Sequence, residues 1–146
     1  MAELRRILVP TDFTETSDRA LDWALDLAKR LGAAVTILHA YEIPIVGFPD
    51  GAIIATPEIA GRISDASKAA LESTMARAQD RGVTVDGVLR EGVPWEEINA
   101  VADAIDADLV VIGTHGRRGL TRALLGSVAE NVVRTAHRPI VTIRGH

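Results

Sequence analysis

The sequence predicts an α/β fold: one open sheet of five parallel strands with helices on both of its faces. Apolar runs of strand length alternate with amphipathic stretches of helix length, in the order β-α-β-α-β-α-β-loop-α-β. Strands joined through helices must run parallel, and right-handed crossovers put those helices on both sides of the sheet. Aromatic residues make up only 3% of a chain that is 47% hydrophobic, so Val, Ile, Leu and Ala must build the core. That composition suits helices packed on a buried sheet.

In "RRILVPTD" the apolar Ile7, Leu8 and Val9 form the first strand, and Pro10 ends it. The following helix is expected to be capped by Ser17, with Leu21, Ala24, Leu25, Ala28 and Leu31 on one face. Gly32 occupies the left-handed C-terminal position behind Lys29 and Arg30, whose charges suit a helix end. "AAVTILHAYE" is the second strand. Residues 43–57, "IPIVGFPDGAIIATP", are too apolar for a solvated linker and are expected to fold over the protein surface. Thr56 and Pro57 open a long helix expected to turn Ile59, Ile63, Ala66 and Ala70 inward and to end at Gly82.

"VTVDGVLRE" alternates in the manner of a half-exposed edge strand. "GVPWEEINAVADAID" is a helix opening on Pro94, with Glu96 and Glu97 at its positive end. "ADLVVIG" is the most apolar strand and is expected to be central. Val128, Val132 and Ala136 mark one face of the last helix, Pro139 stops it, and "PIVTIR" is the final strand. Trp23 and Trp95 fall on helices and are read as packing residues.

At 146 residues the chain suits one domain, 1–146, with a sizeable core. A net charge of −4 and a pI near 5.5 argue against a broad basic face for nucleic acid. The first apolar run is too short for a secretory signal, and no stretch reaches the length of a membrane span, so no membrane association and a cytoplasmic location are expected. There is no cysteine, which excludes disulfides, thiolate metal sites and cysteine nucleophiles.

In open parallel sheets ligands bind beyond the carboxyl ends of the strands. Here those ends carry "VPTD" (9–12), "HAYE" (39–42), "REGVP" (90–94) and "GTHG" (113–116). Gly113 ends the fourth strand, and Gly116 follows it closely. Glycine there permits positive φ and lets backbone N–H groups form an anion-binding concavity. Gly126 precedes Ser127, placed to be the N-cap of the last helix, whose unpaired N–H groups and partial positive charge suit phosphate. A ligand-free account also fits: Ser127 and Glu130 make a capping box that satisfies the helix end alone. The pattern is neither a Walker A loop nor a dinucleotide fingerprint.

Asp12, at a strand end, is the leading candidate carboxylate, against the alternative of a plain turn aspartate. No second acid or base accompanies it, so a hydrolase of high turnover is not expected. His39, His115 and His137 lack metal-ligand spacing. His115 alone falls in the candidate pocket, while His39 reads as a hydrogen-bonded core histidine. Arg117, Arg118 and Arg122 would contact outer phosphates or lie on a solvated face. The segment around Phe48 would be a lid or a partner surface.

A glycine, two residues, a glycine, nine residues, then a glycine and a serine is met by Gly113, Gly116, Gly126 and Ser127. This resembles the signature of the ATP-binding members of the universal stress protein family. The likeness extends to "RILVPTDFTETSDRALDWALDLAKRLGAAVTILHAYE", "EGVPWEEI" and "DLVVIGTHGRRGLTRALLGSVAENVVRTAHRPIVTIR", nearly the whole chain. The resemblance implies a Rossmann-like sheet of order 3-2-1-4-5 with ATP across the strand ends, accompanied by Mg2+ or Mn2+. By position it implies that Pro10, Thr11 and Asp12 line the ribose and adenine side. Ala40, with Val9 and Ile112, would frame the adenine. Gly113, His115 and Gly116 would wrap the phosphates, which Gly126, Ser127 and Val128 would meet at the helix start. It implies a stress-survival or regulatory module, at most a slow ATPase, and a homodimer through the otherwise exposed last strand, 139–144. Two rivals are a nucleotide-free interaction module and a nucleotidyl-transferring enzyme. "PTDFTETS" carries neither the His-x-Gly-His pair nor the Ser-Gly-Gly loop of the second.

Overall fold

The computed structural model describes residues 3–145 apart from 45, 48, 52, 55 and 115–124. Five parallel strands form the main sheet: β1 (Arg6–Pro10), β2 (Ala34–Tyr41), β5 (Val85–Glu91), β6 (Leu109–Gly113) and β7 (Ile140–Ile143). Their order is β5-β2-β1-β6-β7, which is 3-2-1-4-5 when the five are counted along the chain. The short strands β3 (Val46–Gly47) and β4 (Ile53–Ile54) pair antiparallel as a separate hairpin. The sequence reading placed no strands there, although "PDG" at 49–51 carries the turn signal between them.

Helices α1 (Glu15–Leu31) and α2 (Pro57–Gln79) cover one face of the sheet; α3 (Pro94–Ala104) and α4 (Ser127–Thr135) cover the other. The middle strand shows why the core divides in two. Successive side chains of a strand point to opposite faces, so Ile7 and Val9 enter the α1/α2 core and Leu8 the α3/α4 core. All three are fully buried, each worth about 1.5–3 kcal/mol over an exposed position. The most apolar run, β6, lies beside the middle strand rather than at the centre, flanked by β1 and β7. The alternating strand β5 is an edge, as expected, and β7 is the other.

Several local expectations need correction. The N-cap of α1 is Thr14, which accepts from the Ser17 backbone N–H; Ser17 lies inside the first turn. Leu31 is half exposed, because the helix ends there and Gly32 turns left-handed at φ 68°. Helix α2 turns Ser67, Leu71, Thr74 and Ala78 inward, while Ile59 and Ala66 are exposed. Its apolar residues are too sparse to mark a single stripe. Neighbours chose the stripe instead: the Met75 sulfur sits where a Cβ on Gly87 would be, 2.2 Å away, so α2 can lie close on the edge strand. The buried Thr74 hydroxyl donates to the Ala70 carbonyl at 3.0 Å, which removes the cost of burying it. Trp95 packs on the α3/α4 core, but Trp23 is exposed on α1.

Candidate functional site

All five strands of the main sheet run the same way, so β1, β2 and β6 deliver Pro10–Asp12, Ala40 and Gly113 to one rim. Thr11 continues β1 past its end: its N–H donates to the Leu38 carbonyl at 2.8 Å, and the residue is buried. The chain then turns sharply. The Thr14 N–H donates to Asp12 Oδ1 at 3.1 Å, the Ser17 hydroxyl donates to the same oxygen at 2.6 Å, and the Thr14 hydroxyl donates to it as well. The Asp12 N–H donates in turn to Ser17 Oγ at 3.2 Å. Asp12 is therefore a turn aspartate with one carboxylate oxygen locked by the first turn of α1, a fixed acceptor rather than a swinging base.

Between Asp12 and Thr14, Phe13 adopts φ 65°. A bulky residue in the left-handed region costs about 1–3 kcal/mol, and it persists only where its surroundings over-determine it. Here they do. The Phe13 N–H donates to Thr11 Oγ1 at 3.0 Å, and the Phe13 ring packs on His39 with centroids 4.4 Å apart. His39 Nδ1 lies 2.7 Å from the Thr11 carbonyl oxygen. The sequence reading missed Phe13, Thr14 and Ser17 as parts of this turn. "DFTETS" did hold the signal: an aspartate followed two residues later by a threonine with capping spacing.

Across the rim, Gly113 corrects its own reading. The positive-φ glycines among the described residues are Gly32, Gly51, Gly82 and Gly92, not Gly113. Its need for glycine is steric, since a Cβ would stand 2.9 Å from the Thr16 carbonyl oxygen. The first turn of α1 rests directly on the end of β6. Thr114, also missed, is buried and donates its N–H to the Ile143 carbonyl at 2.9 Å, which pins the start of the glycine-rich stretch to β7. His115, Gly116, Arg117, Arg118 and Arg122 lie outside the described residues, as does Phe48.

Helix α4 starts differently from the capping box expected of Ser127 and Glu130. The N-cap is Gly126, extended at φ −61° and ψ 159°, and Ser127 is the first helical residue. No side chain caps this end, and Glu130 accepts instead from Arg134 at 2.7 Å. A glycine cap brings backbone but no hydroxyl to the first N–H groups. Ile112 and Val9 are buried in the core, so at this rim they offer backbone rather than side chain, and Val128 packs partly against the α3/α4 core.

The electrostatics of the rim are acidic on the α1 side. Burial raises the Asp18 carboxyl above its ordinary value, Arg77 opposes this, and Asp22, Asp12 and Glu15 add to it. Among the described residues no cluster of three or more His, Cys, Asp or Glu could hold a metal ion. Nor is any helix among them long and apolar enough to cross a membrane.

The sequence profile of the Universal stress protein family matches residues 3–144. Universal stress protein MJ0531 of Methanocaldococcus jannaschii is 35% identical over 142 residues, which span 96% of this chain and 82% of that protein. Universal stress protein YxiE of Bacillus subtilis is 30% identical over 95% of this chain and 98% of its own. The solved structure of protein MJ0577 superposes with a TM-score of 0.82 at 25% identity, covering 99% of each chain. A crystal structure of a universal stress protein in complex with cAMP superposes with a TM-score of 0.71 at 26% identity, covering 98% of each. With strand order, glycine signature and nearly full-length similarity in agreement, the chain belongs to the universal stress protein family.

Proposed function

We propose that this protein binds ATP across the carboxyl ends of β1, β2 and β6 and acts as a nucleotide-dependent stress-survival or regulatory module. One observation carries the reading: a locked aspartate turn and a helix start without a side-chain cap flank the end of β6. The second feature suits phosphate, because backbone N–H groups at a helix N-terminus favour anions. The relative crystallised with cAMP supports an adenine nucleotide as the ligand class.

In this reading Pro10, Thr11 and Asp12 line the ribose and adenine side, and Ala40 and Ile112 frame the base through their backbones. Gly113, His115 and Gly116 wrap the phosphates; Gly126, Ser127 and Val128 receive them at the start of α4. Mg2+ or Mn2+ would take most of its ligands from the phosphates. With Asp12 Oδ1 committed to three donors, any ATPase activity is slow. Pairing of β7 with a second copy over residues 139–144 would cover its open edge and give a homodimer. The module works in the cytoplasm.

The deciding experiment denatures the purified protein, identifies released nucleotide by mass spectrometry, and titrates the emptied protein with ATP. At a hundred times its Kd, ATP is expected to add about 2.7 kcal/mol of stability. Gly126→Val should abolish that gain. No ATP-dependent stabilisation of wild type, or full retention in Gly126→Val, overturns the reading. Monomeric sedimentation across micromolar concentrations overturns the dimer.

A further inference from the structure

We infer that His39 is a positioning residue for the Asp12 turn, and through it for the nucleotide; the second step rests on the reading above. A carbonyl oxygen can only accept, so the 2.7 Å contact between His39 Nδ1 and the Thr11 carbonyl requires the ring to donate. The neutral ring is therefore the Nδ1–H tautomer. That hydrogen bond holds the residue immediately before Asp12 from the β2 side. The same ring supports Phe13, the residue immediately after Asp12, with centroids 4.4 Å apart at a 44° tilt. The Tyr41 ring centroid lies 6.4 Å from that of the imidazole, at an interplanar angle of 21°.

In a chain with only 3% aromatic residues, two of them lie near this one imidazole. The geometry also explains why Phe13 tolerates φ 65°. His39 grips both neighbours of Asp12, while Thr14 and Ser17 grip its carboxylate from α1. Asp12 is thus set from two independent elements, β2 and α1. His39 need not touch the ligand to govern its binding. The sequence reading of His39 as a core residue is corrected here: it is half-buried near the end of β2, and its hydrogen bond goes to the Asp12 turn.

The test compares His39→Leu, which fills the space without a donor, with His39→Asn, whose amide nitrogen can stand in for Nδ1. In wild type, 15N NMR of the ring should report the Nδ1–H tautomer, and the Phe13 amide coupling should report positive φ. His39→Leu should lose the positive-φ coupling and raise the ATP Kd roughly tenfold, as expected for one part-buried hydrogen-bond partner removed. His39→Asn should restore much of both. An Nε2–H tautomer in wild type, or a leucine variant that keeps both the Phe13 coupling and the ATP affinity, overturns the proposal. If wild type binds no ATP the nucleotide reading fails by itself, and the Phe13 coupling still decides what His39 does. If His39→Leu does not fold, the wild-type tautomer and His39→Asn decide it.

Discussion

The two rims of the sheet are built on opposite plans. At the amino ends of the strands, charged side chains take up the backbone. Asp108 Oδ2 accepts the N–H groups of Arg5 and Arg6 at 2.8 and 3.0 Å. Arg138, mostly buried, donates to the Ala107 carbonyl and reaches Asp103 and Asp106, each at 3.2 Å. Arg6 donates to the Ile105 carbonyl at 3.0 Å. At the carboxyl ends, α3 and α4 start at Val93 and Gly126 with no side-chain cap, and the strand-to-helix turn of β1 holds a strained Phe13. Charged side chains thus tie up backbone at the amino rim, while at the carboxyl rim, proposed to bind, the starts of α3 and α4 leave backbone without a side-chain cap. Positive φ does not separate the rims, since Asp106 at the amino rim adopts φ 52° as Phe13 adopts 65° at the other; what differs is that Asp is at ease in that region and Phe is not, so only Phe13 needs its neighbours to hold it.

The largest way to break this comparison is Gly113→Val. Its side chain would meet the Thr16 backbone, so it should cost about 2–3 kcal/mol and remove ATP-dependent stabilisation together. Urea unfolding with and without ATP reads both. Loss of binding without loss of stability would separate the glycine's packing role from the rim.

Arg138→Leu should come next, at about 2 kcal/mol for a nearly buried group with several hydrogen bonds, and should leave the ATP-dependent gain intact. A fall in that gain would show that the rims are coupled. Thr14→Ala should lose about 1 kcal/mol as a cap, and also weaken ATP binding because Asp12 loses a donor. The analogous cap variant Thr56→Ala on α2 should cost a similar amount with no effect on ATP, so the pair isolates the Asp12 turn from capping in general.

The smallest effects are in pH, and they should differ in sign between the rims. Backbone N–H groups of Arg5 and Arg6 hold Asp108 below its ordinary value of 3.8. Its stabilising contribution is present above 3.8 and fades as pH falls through the lower folded value. Asp108→Asn should therefore melt lower at neutral pH, with the gap closing in acid. Burial instead raises Asp18 above 3.8, so its favourable contribution is present below 3.8 and is lost as pH rises through the folded value. Asp18→Asn should melt slightly higher at neutral pH, again with the gap closing in acid. Melting curves from neutral pH to below 3.8 check both signs.

Much of the fold was legible because its signals are local and periodic. Alternating strands and helices, Gly32 as a left-handed cap, Pro57 and Pro94 at helix starts, and the half-exposed pattern of β5 all stand as read. Part of the candidate site was legible in outline, since Gly113 and Asp12 fall at or just past strand ends and Gly126 at a helix start. What the sequence by itself determined is the alternation of strands and helices and the parallel sheet of order 3-2-1-4-5 that the family resemblance implies. The tertiary structure alone decided which hydroxyl caps α1, which stripe of α2 faces inward, and that α4 begins on Gly126 rather than on a serine cap. It alone revealed that Gly113 is required by Thr16 and that His39 reaches the Asp12 turn. The physical reason is common to all of these. Periodicity records what each segment prefers, whereas close approach and hydrogen-bond partners depend on residues far apart in the chain that packing brings together.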